Sequence, residues 1–526
     1  MINNSSVAQR LSAGSEVRDS ERTDPALVDQ VSQRGPGLQR IRTAVGPMQT
    51  ADFHPAGFGQ AARFAQSVWR DPCNPVTLRR VDDLEVVALA DDLSGAAETA
   101  AAFVRCAADQ ESPAPGSVRL QLWQSSPAPG QREAAGDPAD GPVVVDTDSR
   151  QLTPHAARRR IHQVLEQLRP HVRPDRPERR MIKKIDSLLR GNLAAELEPL
   201  MPAGIVLAAA LPAAGRTVRR GAVLVDGRPL ASVDSWRAEP GAAPRTIADA
   251  IAPLPSVTLP LDLVRGPAAA LADHLATVGP NRVAICDAES DDDLDRIVTA
   301  AWQVRAVGRR SGARPVLAGP VLAGTAAIAA AVARKIAPNL PDHNLSAGRI
   351  DDRRPLLAVI GSADPRAREQ LARLSATGLP TVVADPAQLL GDPATVAANV
   401  ITQWSGGVTA VAVGEPVTPD RRTEIAAALA EAVGRLRTEA DLVLIGGETG
   451  RRVLDRVGIG ELRLLGPVVV TADQQPRVEY GAVASTAPDG RMIITRPGSF
   501  GDADSLIKII SALRGTAGFP TLEGKR

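Results

Sequence analysis

Aromatic side chains are scarce in this 526-residue chain: Phe, Tyr and Trp make up 2% of it, with a single tyrosine. Too few rings are present to stack bases, and a net charge of +1 leaves no basic excess to hold a phosphate backbone, so nucleic acid is not an expected partner. Cysteine is equally sparse. Cys73, Cys106 and Cys286 lie far apart and form neither a disulfide framework nor a metal-ligand spacing, which fits a reduced cytoplasm. No run of eighteen or more apolar residues exists to span a membrane, and the first residues (MINNSSVAQRLSAGSEVRDSERTD) lack the apolar core of a signal peptide. The expectation is a cytoplasmic protein without a membrane partner. Two phosphate fingerprints are also missing. There is no G-x-x-x-x-G-K-[ST] and no G-x-G-x-x-G with a downstream ribose-binding acid, so P-loop and ordinary dinucleotide readings lose support. Lysine is rare as well: Lys183, Lys184, Lys335, Lys508 and Lys525 are all there are among 61 Lys and Arg. An adjacent pair within KKIDSLLRGN (183–192) therefore stands out.

What is present is Ala, Val, Leu and Ile, within an apolar fraction of 44%. That mixture suits helices packed on parallel strands. At about 150 residues per domain, the length suggests two to four units. Residues 1–50 are polar without an apolar period and read as a disordered extension. Residues 51–80 hold a lead-in with a short docking helix that puts Phe64 and Val68 on one face. Alternating strand and helix patterns then run over 81–337 and again over 355–526, separated by a Pro-, Gly-, Asn- and Asp-rich linker at 338–354. We expect an α/β protein of two domains, each a mostly parallel sheet flanked by helices, with a ligand cleft between them. Thr153 and Pro154 mark a helix start, Asn192 reads as the cap of the helix after it, and 213–260 is turn-rich.

Ligands of open parallel sheets bind outside the carboxyl ends of the strands. In the first domain those ends carry Asp91 and Asp92; Asp146, Asp148 and Arg150; and Lys183, Lys184, Asp186, Ser187 and Arg190. Cations suit a carboxylate and aspartates accept from hydroxyls, so three strand ends together describe a site for a small, anionic, hydroxylated molecule. Singly, each has a plainer role: an Asp before Ser94 can cap a helix, and Arg190 with Asp186 can be a solvated pair. The second domain offers glycine turns instead, in GSADP (361–365), GGETG (446–450) and RPGSFG (496–501). Glycine lets backbone amides approach an anion, and a following helix adds its positive end. A hydroxy-acid site facing a phosphate cradle is the layout of a small-molecule kinase.

The segments ADDLSGAAETA, DTDSR, KKIDSLLRGN, LPAAGRTVRRG with VDGRPL, DAESDDDL, GGETG and GSFGD, in this order over roughly 82–515, resemble the signatures of the four-carbon acid sugar kinase family. The resemblance implies a two-domain enzyme that uses ATP, with magnesium, to phosphorylate threonate, erythronate or 3-oxo-tetronate at the 4-hydroxyl. It implies sugar-acid binding by Asp91, Asp92, Ser149, Arg150, Lys184, Asp186, Ser187, Arg190 and Asn192; among these, Asp92 is our candidate for orienting or deprotonating the attacking hydroxyl. It implies nucleotide binding by Ser362, Gly446, Gly447, Gly498, Ser499 and Gly501. Departures from the family pattern set further expectations. Ser94 keeps a hydroxyl in place of threonine, whereas Leu188 removes one beside the sugar-acid site. Asp364 brings negative charge toward the nucleotide, Ser499 restricts backbone approach, and no PGVP segment is recognisable in VVVTADQQPRVEYG. These changes leave open a second class, a catalytically weakened relative that binds ligand or regulates. Sequence leaves the sugar acid, its stereoisomer and any homo-oligomer undetermined.

Overall fold

The computed structural model describes residues 84–107, 118–124, 141–168, 178–233, 236, 241–304, 317–336, 354–404, 407–415, 417, 419–436, 439–472 and 475–514. The expected N-terminal extension, the docking helix and all but the last residue of the linker lie outside these residues. Among the described residues, no helix is long and apolar enough to cross a membrane.

The first α/β domain contributes strands β1 (Leu84–Ala90), β2 (Arg119–Leu122), β3 (Val143–Asp146), β4 (Glu178–Lys184), β5 (Ile205–Ala208), β6 (Arg216–Arg219), β7 (Ala222–Val225), β8 (Arg228–Pro229), β9 (Ser256–Leu259), β10 (Val283–Cys286) and β11 (Val321–Gly324). The second contributes β12 (Leu356–Ile360), β13 (Thr381–Ala384), β14 (Val408–Val413), β15 (Asp441–Ile445), β16 (Glu461–Ala472), β17 (Gln475–Thr486) and β18 (Met492–Arg496). β3, β5, β10, β11, β12 and β15 are buried along their whole length. Such unbroken apolar runs belong to parallel strands that helices cover on both faces.

The two sheets are continuous. Their order is β13-β14-β12-β15-β18-β17-β16 in the second domain and β2-β3-β1-β4-β11-β5-β10-β9 in the first, joined where β16 pairs antiparallel with β2 through Glu461–Gln121, Leu462–Leu120 and Arg463–Arg119. Pairing removes what would otherwise be two open edges. The long β16–β17 hairpin carries the junction, and its register shifts at Leu464/Gly466 and Pro467/Val469, where a proline is tolerated. These strands occupy the stretch in which no family segment was recognisable.

Counted through the antiparallel pairs, the parallel strands of the two domains run in opposite senses. Six steps separate β15 from β1, and a twist of roughly 20–25° per step accumulates roughly 120–150°. Most of the opposition is thereby undone, and the carboxyl ends of both sets of strands reach one place.

Between them lies the alanine-rich helix Leu93–Ala107, whose buried face is Leu93, Ala96, Ala97, Ala100 and Phe103. Its small side chains admit neighbours on several sides: the helix Ala326–Ile336, β3, β16 and the helix Gly447–Arg456. One apolar core therefore runs through both domains. The helix Pro154–Leu168 begins as its sequence indicates, with Thr153 Oγ1 accepting from the Ala156 amide at 3.3 Å, and buries Ala157, Ile161 and Val164. The turn-rich stretch after 213 differs from expectation. It holds a separate three-stranded antiparallel sheet, β6-β7-β8, with strands too short and too exposed to show an apolar period.

Candidate active site

β1 turns at Asp91 and Asp92 into the helix Leu93–Ala107, and the loop after β3 folds Arg150 over both carboxylates. Arg150 Nε and Nη2 donate to Asp91 at 2.7 and 3.1 Å, and Nη1 donates to Asp92 Oδ2 at 2.7 Å. Asp92 Oδ1 meanwhile accepts from the Gly95 amide at 3.0 Å, so the capping role and the site role coexist in one side chain. After β4, Asp186 accepts from Arg190 Nε and Nη2 at 2.8 and 2.7 Å and from the Leu188 amide at 3.0 Å, with Arg150 Nη2 3.8 Å away. Burial alone would raise both acids. For Asp186 the charges of Arg190, Arg150 and Lys184 outweigh it and hold the carboxyl well below the usual range. Arg150, Lys183 and Lys184 do the same, less strongly, for Asp91.

The lysine pair divides its labour. Lys183 is fully buried, 2.8 Å from Glu196 Oε2, and ties the end of β4 to the short helix Leu193–Leu197. Lys184 points the other way. Its ammonium donates to the Ile185 carbonyl at 3.1 Å and stands over Gly95, 2.9 Å from where a Cβ would be, with Asp92 Oδ1 beside it at 2.8 Å from the same point.

Two predicted binders face inward. The Ser149 hydroxyl donates to Glu196 at 2.6 Å and lies 2.7 Å from Thr147 Oγ1. Asn192 occupies the cap position of the helix Leu193–Leu197 without capping it. Its amide donates instead to the carbonyls of Ser149, Arg150 and Leu152 at 2.9, 3.3 and 2.8 Å, clamping the loop that carries Arg150. Asp146 and Asp148 also turn away from the acid wall. Arg451 Nη1 reaches Asp146 Oδ2 at 2.9 Å, and Arg452 Nη2 reaches Asp148 at 2.6 Å, docking the helix Gly447–Arg456 of the second domain onto the first. Burial and the neighbouring Asp148 push Asp146 up to about 6 against the pull of Arg451. Leu188, at 4% exposure, packs in the apolar core, and its amide donates to Asp186 Oδ2 at 3.0 Å.

In the second domain Ser362 follows β12, Gly446 and Gly447 follow β15, and Gly498, Ser499 and Gly501 follow β18. Gly498 lies so close to Ser362 that any side chain there would overlap it, which brings the first and third turns into contact. The helix Gly447–Arg456 has no side-chain cap, leaving its first amides open at the turn. A Cβ on Gly447 would stand 2.7 Å from Asp92 Oδ2 and 2.9 Å from Ser94 Oγ. Ser94 Oγ and Glu448 Oε1 are buried there without hydrogen-bond partners. Unsatisfied polar atoms beside open amides fit a polar, phosphate-bearing ligand. The remaining departures are accounted for locally. The Asp364 carboxylate accepts from the Arg366 amide at 2.9 Å as the cap of the helix Pro365–Ala376. Ser499 is not among the described non-glycine residues with positive φ, so its backbone needs no glycine. No group of three or more His, Cys, Asp or Glu among the described residues makes a metal site.

Sequence reading passed over several residues. Glu98, half-buried one turn beyond Ser94, is pushed up to about 7 by burial, with Asp92 and Asp186 adding to the effect and Lys184 and Arg150 opposing it. Its spacing of four from Ser94 within ADDLSGAAETA was the available signal. Arg216, in LPAAGRTVRRG, donates to Ser187 Oγ.

Two family models match the chain: a sugar-binding N-terminal domain over residues 86–331 and a nucleotide-binding C-terminal domain over 357–506. The chain is similar to D-threonate kinase of Cupriavidus necator, at 30% identity over 80% of this chain and 95% of that one. It is also similar to D-threonate kinase of Salmonella typhimurium, at 26% identity over 80% and 97%. D-erythronate kinase of Heliobacterium modesticaldum matches at 29% identity over 41% of this chain and 48% of that one. Among solved structures, a Haemophilus influenzae protein shares the fold with a TM-score of 0.54 at 16% identity, covering 82% of this chain and 99% of that one. A Salmonella typhimurium LT2 protein does so with a TM-score of 0.58 at 19% identity, covering 83% and 99%.

Proposed function

The chain belongs to the four-carbon acid sugar kinase-like family, and on that premise we propose that it transfers the γ-phosphoryl group of ATP to the 4-hydroxyl of a four-carbon sugar acid of the threonate, erythronate or 3-oxo-tetronate type. The observation that carries the proposal is the approach of Gly447 to Asp92 and Ser94. A helix start suited to phosphates and a wall suited to a hydroxy acid meet there at contact distance, which in-line transfer requires.

In this reading Lys184, Arg150 and Arg190 hold the substrate carboxylate and hydroxyls, with Asp91 and Asp186 fixing the two guanidiniums. Ser187 binds alongside them, while Ser149 and Asn192 hold the Arg150 loop in place. Asp92, reachable from the cleft, orients the attacking hydroxyl and accepts its proton. Ser362, the amides at Gly446 and Gly447, and the Gly498–Ser499–Gly501 loop cradle the nucleotide. Magnesium carried in with ATP would offset the phosphate charge.

The test is an ADP-release assay with ATP over the isomers of threonate, erythronate and 3-oxo-tetronate, with the product phosphate located by NMR. ATP-dependent formation of a 4-phosphate is the expected result. A tetronate that binds in calorimetry while ATP neither binds nor turns over would leave a ligand-binding relative instead.

A further inference from the structure

The segment LPAAGRTVRRG has a place in the fold but no role in the site described so far. Its Arg216 opens β6 in the small three-stranded sheet, directly after Gly215, which has φ 64°. The backbone there is fixed from several directions. Leu211 and Arg216 exchange amide-to-carbonyl hydrogen bonds at 2.8 and 3.1 Å, and the Asp226 amide donates to Gly215 O at 2.8 Å. The small sheet is fastened to the main one where Val218 bridges Ala288 and where Asp287 accepts from the amides of Arg220 and Gly221 at 2.7 and 2.8 Å.

From this rigid base the half-buried Arg216 side chain reaches both halves of the cleft. Its Nη1 donates to Ser187 Oγ in the acid wall. Its guanidinium carbon stands 6.0 Å from the centroid of the Phe500 ring, in the glycine loop of the second domain. Phe500 is itself placed, its carbonyl accepting from Gln370 Nε2 at 3.1 Å. A group moving from the glycine turns to a hydroxyl held by the acid wall must cross the interval that this guanidinium spans. A planar fork of N–H donors suits the equatorial oxygens of a phosphoryl group in flight better than an ammonium does.

Resting on the kinase reading above, we propose that Arg216 is a catalytic residue whose guanidinium binds the transferring phosphoryl group between the two domains. In that step the bond from the γ-phosphorus to the β,γ-bridging oxygen breaks, and its electron pair leaves with ADP. The acceptor hydroxyl oxygen forms the new bond to phosphorus, and its proton passes to Asp92 and then to solvent. Arg216 neutralises charge on the three oxygens that stay with phosphorus, and neither gains nor loses a proton.

Arg216→Ala and Arg216→Lys are compared with the parent in steady-state kinetics, in calorimetry with ATP and with the sugar acid, and in binding of ADP with aluminium fluoride. In Arg216→Ala, kcat falls by about 1,000-fold or more, both substrate affinities stay within about threefold, and added guanidinium ion restores part of the rate. Arg216→Lys recovers little, and serves as the test protein if the alanine variant does not fold. A kcat within threefold of the parent, or a loss confined to sugar-acid affinity, overturns the assignment. A parent that binds ATP but phosphorylates no tetronate refutes the function proposed above. The Arg216 assignment is then decided by the aluminium fluoride complex alone, expected to weaken at least tenfold in Arg216→Ala and overturned by equal affinity.

Discussion

The acid wall of the first domain and the glycine-turn rim of the second meet where Gly447 approaches Asp92 and Ser94, but are built from different materials. The wall is made of charged side chains, each fastened to another: Asp91 and Asp92 to Arg150, Asp186 to Arg190, Lys183 to Glu196. The rim is made of main chain, in which a residue matters chiefly through what its backbone must do. A wall of this kind fails when one member is changed, because the partner is left as an uncompensated charge in a buried place. A rim of this kind absorbs side-chain changes wherever the backbone has ordinary dihedrals. At Asp364 and Ser499, which read in sequence as threats to nucleotide binding, the first side chain caps a helix and the second backbone has no positive φ.

The contrast can be broken most directly at Asp186. Asp186→Asn or Lys184→Ala should lower phosphate transfer by roughly 100-fold or more while ATP affinity stays within about twofold; weakened ATP binding with the sugar acid spared would reverse the assignment of the two halves. Next in size is the ion pair joining the domains. Arg451→Leu strands Asp146 and should destabilise the fold by about 3–5 kcal/mol in urea unfolding, whereas Arg452→Leu, whose partner Asp148 is partly exposed, should cost about 1 kcal/mol or less.

Leu188→Thr separates packing from binding. Burying a hydroxyl and opening space in the core should cost about 2–3 kcal/mol with the KM for the sugar acid unchanged, and an improved KM would put position 188 back in the site.

Glu98 tests the charge balance of the wall. Because the fold raises its pKa to about 7, its contribution to stability is complete in acid, below the ordinary carboxylate range, and is lost as pH rises through about 7. Glu98→Gln should therefore match the parent near pH 4 and exceed it in stability at pH 8. A gap of the same size at both pH values would show that the residue is not held protonated by its surroundings. The smallest effect belongs to the rim: Ser499→Gly should leave ATP affinity within about twofold, and a large gain would mean that this serine does obstruct the loop.

Much of this was legible in sequence because of how the elements are built. Unbroken runs such as VVVD, IVLA and VAIC announce buried parallel strands, and the carboxyl ends of LEVVALA, VVVD and ERRMIKK point to Asp91, Asp92, Arg150 and Asp186. Strand ends, however, do not reveal which way a side chain turns. Asp146 and Asp148 stand where a site residue would stand, yet they face arginines about 300 residues away in the chain. Asn192 looked like a cap and Ser149 like a ligand contact because both are polar at the right place; the partner of the first is a loop 40 or more residues earlier, and that of the second is Glu196 in the helix Leu193–Leu197. Arg216 was hidden for a different reason. It sits in a sheet whose strands are two to four residues long, below the length at which alternation can be read.

The pairing of β16 with β2 bears on how the protein works mechanically. Swinging the domains apart like the halves of a shell would tear backbone hydrogen bonds between Glu461–Arg463 and Arg119–Gln121 and pull Arg451 out of its pocket on every cycle. The large sheet behaves as a single twisted blade, stiff along the line where two separate bodies would flex. The small sheet that carries Arg216 is tied to this blade as well, through Val218 with Ala288 and through Asp287 with the amides of Arg220 and Gly221.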